Sequence, residues 1–281
     1  MEEGIVRRKF LVGVVQLDTQ ADKKANLERV CQYIDEAAGR GAGLIAFPEN
    51  ISYIGPNPIE AGAPEPIPGY TTDLLAKKAK EHGVYLHGGS MAELIPDEAK
   101  FYNTSVMFDP SGAIIAKYRK IHTFDVTMPD GSPVRESDRV KPGSDIVTVD
   151  TELGTLGFSI CYDIRFPELY RLLALAGARI IFTPANFTLP TGKDHWEAIL
   201  RTRAIENGCY VVAPAQIGKK PKFTAFGSSM VVDPWGTVVA RSKEEPGVTI
   251  AEIDLDFQDK IRSQLPSLKN RRPDAYDLRD L

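Results

Sequence analysis

Residues 156–186 read LGFSICYDIRFPELYRLLALAGARIIFTPAN. The stretch opens on a short apolar run, turns through Cys161 and Asp163, and reaches Pro167, a residue suited to the first turn of a helix. Leu169, Leu172, Leu173 and Leu175 follow at helical spacing until Gly177. Ile180, Ile181 and Phe182 then start a second apolar run that ends at Pro184. The order is strand, helix, Gly-Ala, strand, proline. Residues 10–49 repeat it: an apolar run over 10–17, a helix with Leu27, Val30, Cys31, Ile34, Ala37 and Ala38 on one face, a stop at Gly39 and Gly41, a second run over 44–47, then Pro48-Glu49. The likeness is of pattern rather than identity, and it predicts a layered α/β domain built from two related halves. Further strands are expected at 84–88, 104–108, 114–117, 210–213, 229–232 and 249–253. A third helix is expected over 194–206, with Trp196, Ile199, Leu200 and Arg203 in register and Gly208 ending it. Residues 55–70 carry five prolines and three glycines and read as a structured loop. No linker interrupts the chain, so residues 1–281 are expected to form a single domain.

Composition narrows the function classes. The 281 residues include 34 Lys and Arg against 38 Asp and Glu, a net charge of −4, and the hydrophobic share is 43%. Disorder, collagen-like repeats and disulfide scaffolds are excluded, and no global basic bias favours nucleic acid. The basic clusters Arg7-Arg8-Lys9 and Arg271-Arg272 are short enough to be solvated charge. Cys31, Cys161 and Cys209 are sparse and unpaired in pattern, which fits a reducing compartment. The N-terminus has no apolar signal core and no run is long enough to cross a bilayer, so a cytoplasmic protein without membrane partners is expected.

Three short blocks carry possible chemistry. Cys161 stands at a predicted strand end before a helix, where ligand sites of α/β sheets gather. A thiol there is expected to be exposed, with helix-start N–H groups favouring the thiolate. A small buried hydrophobe is the competing reading, and it suits Cys31 and Cys209 well. A phosphatase loop requires arginine where Pro167 stands, an amidotransferase elbow requires glycines where Ser159 and Asp163 stand, and the papain-type run is absent. His82, His87, His122 and His195 remain conceivable partners for a cysteine, His122 foremost, though none carries a motif. Glu49 follows the apolar run of 44–47, where partial burial would raise its pKa toward that of a working base; a helix cap or surface charge is the plainer alternative. Lys120 ends another strand, where a fixed ammonium can stabilise an oxyanion; Lys117, Arg119 and Lys120 equally read as a solvated basic strand end.

Taken together, Phe47-Pro48-Glu49, Tyr118-Arg119-Lys120-Ile121-His122 and Cys161-Tyr162-Asp163-Ile164-Arg165-Phe166-Pro167-Glu168 resemble the three signature blocks of the nitrilase superfamily of carbon–nitrogen hydrolases, in the family's order. The resemblance runs from Val12 to Tyr276. It implies an αββα sandwich that dimerises to αββααββα. It implies Cys161 as nucleophile, Glu49 as general base, Lys120 as stabiliser of the tetrahedral intermediate and Glu136, in Val134-Arg135-Glu136-Ser137, as a supporting second glutamate. No metal or organic cofactor is expected, and no metal-binding motif or glycine-rich phosphate loop stands out.

Tyr162, Asp163, Ile164, Arg165 and Phe166 after the cysteine resemble the amidase branch that includes deaminated-glutathione amidase and omega-amidase. The resemblance therefore implies hydrolysis of the terminal carboxamide of a small 2-oxo carboxylate, with the deaminated-glutathione side matched more closely at 229–241 and 271–274. Arg165 is a candidate clamp for the substrate carboxylate, or else the partner of Asp163 or Glu168 in a salt bridge. Tyr162, Tyr53, Phe124, Asn186 and Thr188 are candidate pocket residues, each with a packing alternative. Omega-amidase activity on 2-oxoglutaramate or 2-oxosuccinamate, N-carbamoyl amine hydrolysis, and a non-catalytic interaction role are the alternatives. Residues 264–281, with Pro266 and Pro273, read as an extended arm able to cross a partner subunit or pack on their own domain.

Overall fold

The computed structural model describes residues 7–127 and 131–275. In chain order the first half comprises strand β1 (Lys9–Gln16), helix α1 (Lys23–Gly39), β2 (Leu44–Ala46), α2 (Tyr70–His82), β3 (Tyr85–Leu94), β4 (Phe101–Phe108) and β5 (Ile114–Arg119). A small hairpin of β6 (Asp125–Thr127) and β7 (Pro133–Arg135) follows. The second half comprises β8 (Thr148–Thr151), β9 (Gly154–Phe158), α3 (Pro167–Leu175), β10 (Ile180–Phe182), the short α4 (Leu189–Thr191), α5 (Glu197–Asn207) and β11 (Tyr210–Ala213). The chain continues through hairpin β12 (Ile217–Lys219) and β13 (Thr224–Phe226), then β14 (Met230–Val232), β15 (Val238–Arg241), β16 (Gly247–Asp254) and α6 (Leu255–Gln264).

Two six-stranded sheets run in the orders β16-β1-β2-β3-β4-β5 and β15-β14-β11-β10-β9-β8. Each has three parallel strands at its centre (β1, β2, β3 and β9, β10, β11), one antiparallel strand on one side and an antiparallel pair on the other. The repeat expected from the sequence is thus a repeat of topology, with β16 and β8 in equivalent places. The two units also share a packing device. A Cβ on Gly13 of β1 would lie 2.9 Å from Ala37 of α1, and one on Gly157 of β9 would lie 3.1 Å from Ala178 and 3.4 Å from Leu173 of α3. Glycine in each first strand lets its crossover helix settle close to the sheet.

Alternation along the strands assigns the layers. Val12, Val14, Leu44 and Ala46 point into the space between the sheets with Leu156, Phe158, Ile180 and Phe182, while Val15, Ile45 and Phe47 pack under Val30, Ile34 and Ala37 of α1 and Leu75 and Ala79 of α2. Helices α3 and α5 cover the other sheet through Leu169, Leu173, Leu200 and Ala204. The order is helices, sheet, sheet, helices, the αββα sandwich. His87 of β3 stacks on Phe182 of β10 at 4.3 Å, a direct bridge between the sheets. Residues 265–275 form successive turns rather than an extended arm, with Lys269 and Asn270 N–H groups on the Pro266 carbonyl and Ala275 N–H on that of Arg272. The remainder of the expected arm, 276–281, lies outside the described residues.

Candidate active site

The parallel strands of both sheets deliver their following residues to one end of the sandwich, where α/β folds place their ligands. Beyond β2 the chain gives Phe47-Pro48-Glu49, and beyond β9 it gives Ser159-Ile160-Cys161. Lys120 follows β5, its N–H donating to the Asn103 carbonyl of β4 at 2.9 Å. Glu136 stands at the foot of the β6–β7 hairpin, held there partly by its own side chain, which accepts the Phe124 N–H at 2.6 Å.

These four side chains meet. The Lys120 ammonium, only 2% exposed, lies 3.1 Å from Glu49 Oε1 and 3.1 and 2.9 Å from the two oxygens of Glu136. Burial alone would lower the pKa of Lys120, but the charges of Glu136 and Glu49 outweigh it and hold the group well above the ordinary lysine value. The Cys161 thiol is near enough to Glu49, Lys120 and the Asn186 backbone N–H for each of them to act on its ionisation.

The thiol departs from expectation in two ways. Cys161 is 8% exposed rather than open to solvent. Burial and then the negative charge of Glu49 push its pKa well above the usual thiol value, against the smaller opposing pull of Lys120 and the Asn186 N–H. A resting thiolate is therefore not what this environment favours, because the cysteine's own N–H is spent on the Pro184 carbonyl at 2.8 Å and a full helix dipole is missing. Instead Cys161 opens a 3₁₀ turn, Cys161–Arg165, and takes φ +50°, a strained value for a residue with a side chain.

Asp163 ties this turn to the lysine strand. Fully buried, it accepts the Ile160 N–H at 2.8 Å and the Tyr118 hydroxyl at 2.6 Å on one oxygen, and the His122 N–H at 3.0 Å and Nδ1 at 2.8 Å on the other. His122 is therefore a structural hydrogen-bonder, stacked on Phe166 at 3.5 Å. The carboxylate is fully engaged, and Arg165 does not pair with it or with Glu168. Arg165 lies 5.9 Å over the Tyr162 ring and 5.6 Å over Phe187, 3.3 Å from His195 Nδ1, and makes no ion pair with an acid among the described residues. Tyr162 meets Phe124 edge-on at 5.1 Å, so Phe124, Tyr162 and Arg165 form one cluster of side chains. Asn186 lies against the thiol through its backbone, and its Oδ1 is buried without a hydrogen-bond partner. Thr188 bonds Thr191 at 2.8 Å in the following turn, and the Tyr53 hydroxyl folds over Gly55, where a Cβ would clash at 2.1 Å; both have local roles in their loops.

Two residues of the site carried no sequence signal strong enough to single them out. Asn103 donates to Glu49 Oε1 at 2.9 Å, and Gln216 donates to the Glu49 carbonyl at 2.8 Å. The only hint was a polar residue flanking each apolar run. Among the described residues, Asp35, Glu81 and His82 are grouped closely enough to hold a metal ion, but they are surface residues of α1 and α2 and Asp35 already binds Lys78 at 2.7 Å.

Comparison with known families matches residues 11–262 to Carbon-nitrogen hydrolase. Over 272 residues the chain is 43% identical to the deaminated glutathione amidase of Mus musculus, covering 95% of this chain and 84% of that protein. It is 40% identical to the omega-amidase NIT2-A of Xenopus laevis over 274 residues, 97% of this chain and 98% of that one. Among solved structures, Saccharomyces cerevisiae Nit3, a member of branch 10 of the nitrilase superfamily, superposes with a TM-score of 0.85 at 33% identity, covering 97% of this chain and all of the other.

Proposed function

The chain belongs to the carbon–nitrogen hydrolase family, and from that premise we propose that it hydrolyses the terminal carboxamide of a small 2-oxo carboxylate, of the deaminated-glutathione kind, through a thioester on Cys161. It is a hydrolase of carbon–nitrogen bonds other than peptide bonds, an amidase. The observation that carries the reading is the cluster in which buried Lys120 joins Glu49 to Glu136 beside Cys161, a thiol whose pKa burial and Glu49 push up.

A protonated nucleophile needs a base in contact, and Glu49 is that base. It takes the Cys161 proton as sulfur bonds to the amide carbon and the carbonyl electron pair moves to oxygen. Lys120 and the Tyr162 N–H receive the oxyanion; one such donor contributes about 3 kcal/mol to the barrier reduction. As the C–N bond breaks, Glu49 returns the proton to nitrogen and ammonia leaves. Water then attacks the thioester while Glu49 takes its proton, and Glu49 returns a proton to sulfur as the C–S bond breaks. Glu136 keeps Lys120 charged and aimed. Arg165, with no acidic partner among the described residues, binds the substrate carboxylate, with Tyr162, Phe124 and Asn186 around the chain between.

The 40% identity to an omega-amidase favours 2-oxoglutaramate or 2-oxosuccinamate as a second reading. Ammonia release from deaminated glutathione, both oxo-acid amides, a carbamoyl amine and a simple nitrile tests these together. Release from a 2-oxo acid amide, lost in Cys161→Ala and weakened mainly in KM by Arg165→Met, is the expected result. Carbon dioxide from the carbamoyl amine alone, or silence from folded protein, would contradict it.

The reading extends to assembly. The outer faces of α3 and α5 expose Leu172, Leu175 and Ile205, with Trp235 in the turn beside Ile205. Self-association through this face gives a dimer with the layer order αββααββα. The three free cysteines suit a reducing, cytoplasmic setting. Among the described residues no helix is long and apolar enough to cross a membrane.

A further inference from the structure

We infer that Asn103 is a positioning residue that decides which oxygen of Glu49 carries the proton, an inference that rests on the reading of Glu49 as the base for Cys161. Asn103 lies on β4, paired with Ala92 of β3, and its carbonyl accepts the Lys120 N–H at 2.9 Å. Its place beside the lysine is thus fixed by the sheet. Its Nδ2 donates to Glu49 Oε1 at 2.9 Å, the same oxygen that receives Lys120 Nζ at 3.1 Å. Oε1 has two donors, and a proton placed there would face two N–H groups. The proton taken from sulfur therefore rides on Oε2.

Lysine alone does not secure this. Lys120 divides its donors between Glu49 and both oxygens of Glu136, and it must also serve the oxyanion. Among the described residues the Asn103 amide donates to no other side chain, and it keeps Oε1 in the acceptor role through both protonation states of Glu49. The amide orientation is fixed by chemistry, since its reversal would set Oδ1 against a carboxylate oxygen. Held this way, Oδ1 is buried with no hydrogen-bond partner among the described residues. A leucine of similar shape would avoid that unpaired acceptor, so packing does not account for an asparagine here.

Asn103→Leu and Asn103→Asp test the inference beside Glu49→Gln and Cys161→Ala, with circular dichroism confirming folding. In Asn103→Leu, kcat is expected to fall about 10–100-fold with KM changed less than about threefold. The acidic limb of kcat/KM should move to higher pH, because a donor to the ionised carboxylate is gone. Asn103→Asp should move its optimum the other way: once protonated at lower pH, the new carboxyl can donate to Oε1 and recover turnover. That opposed shift is outside what a packing role produces, and Asn103→Asp carries the test if the leucine variant does not fold. Wild-type kcat and pH profile in the folded variants, with Glu49→Gln and Cys161→Ala inactive, would overturn the role of Asn103 alone. Full activity in Glu49→Gln would overturn the reading beneath it.

Discussion

Cys161 keeps its proton at rest because burial and Glu49 together outweigh Lys120, and this has a direct chemical signature. Alkylation of Cys161 by iodoacetamide should be slow at pH 7 and climb only in alkaline solution, measured as the difference from Cys161→Ala; a fast plateau at neutral pH would show a resting thiolate instead. Lys120 is the reciprocal case. Replacing it by methionine leaves the buried Glu49 carboxylate facing that of half-buried Glu136 without a cation between them, and removal of one partner from a buried ion pair costs about 3–5 kcal/mol. Lys120→Met should lower the denaturant midpoint accordingly and abolish turnover; an unchanged midpoint would mean that Glu49 and Glu136 do not share the ammonium. Glu49, Lys120 and Cys161 were legible in the sequence because each directly follows an apolar strand and the three stand in a recognisable order. Asn103 was not. It lies inside β4, one residue before the apolar run read from the sequence, and its importance comes from reaching Glu49, 54 positions away.

At the scale of elements, the turn Cys161–Arg165 is set against the end of β5 by one side chain, Asp163. Asp163→Ala removes the acceptor for the Ile160 N–H, the Tyr118 hydroxyl and His122, and each buried group left unpaired costs about 1–3 kcal/mol. Thermal unfolding should fall and kcat should drop while the Cys161 side chain itself is intact; wild-type values would place the registration of the turn elsewhere. Elements with a broad apolar stripe, such as α1 and α3, were legible, whereas α2 and α6 were not. The buried face of α2 uses Thr71, Thr72, Leu75 and Ala79, and that of α6 uses Leu255, Gln258 and Ile261. A stripe containing threonine and glutamine has no strong hydrophobic period, although Gln258 is buried because it bonds the Arg179 and Gly208 carbonyls at the end of the second sheet remote from the site. Hairpins β6–β7 and β12–β13 escaped notice for a related reason, since their strands are three residues long and largely exposed or half-buried.

Across the whole molecule, the pattern shared by residues 10–49 and 156–186 gave the doubled topology, but not the face along which the two sheets meet. That face contains His87, a neutral imidazole between Phe182 and Phe158 whose pKa burial lowers to about 3. The unfolded chain takes up the proton first, so stability contributed by the buried neutral form falls as pH drops below about 6.5, by about 1.4 kcal/mol per unit until the folded value is reached. Urea midpoints between pH 6.5 and 5, above the carboxylate range, should decline in the wild type and decline less steeply in His87→Leu; parallel slopes would contradict the assignment. The exposed apolar face of α3 and α5 belongs to this scale as well: Leu172→Asp with Ile205→Asp should yield monomers in light scattering, and an unchanged assembly would place the interface elsewhere. The central claim, that the two halves meet in order to pair the Cys161 thiol with Glu49 for amide hydrolysis, is reached most directly by intact-protein mass spectrometry during turnover of a 2-oxo acid amide. The account predicts a covalent acyl adduct that maps to Cys161, is discharged by water and is absent from Cys161→Ala. Ammonia release without that adduct, or persisting in Cys161→Ala, would contradict it.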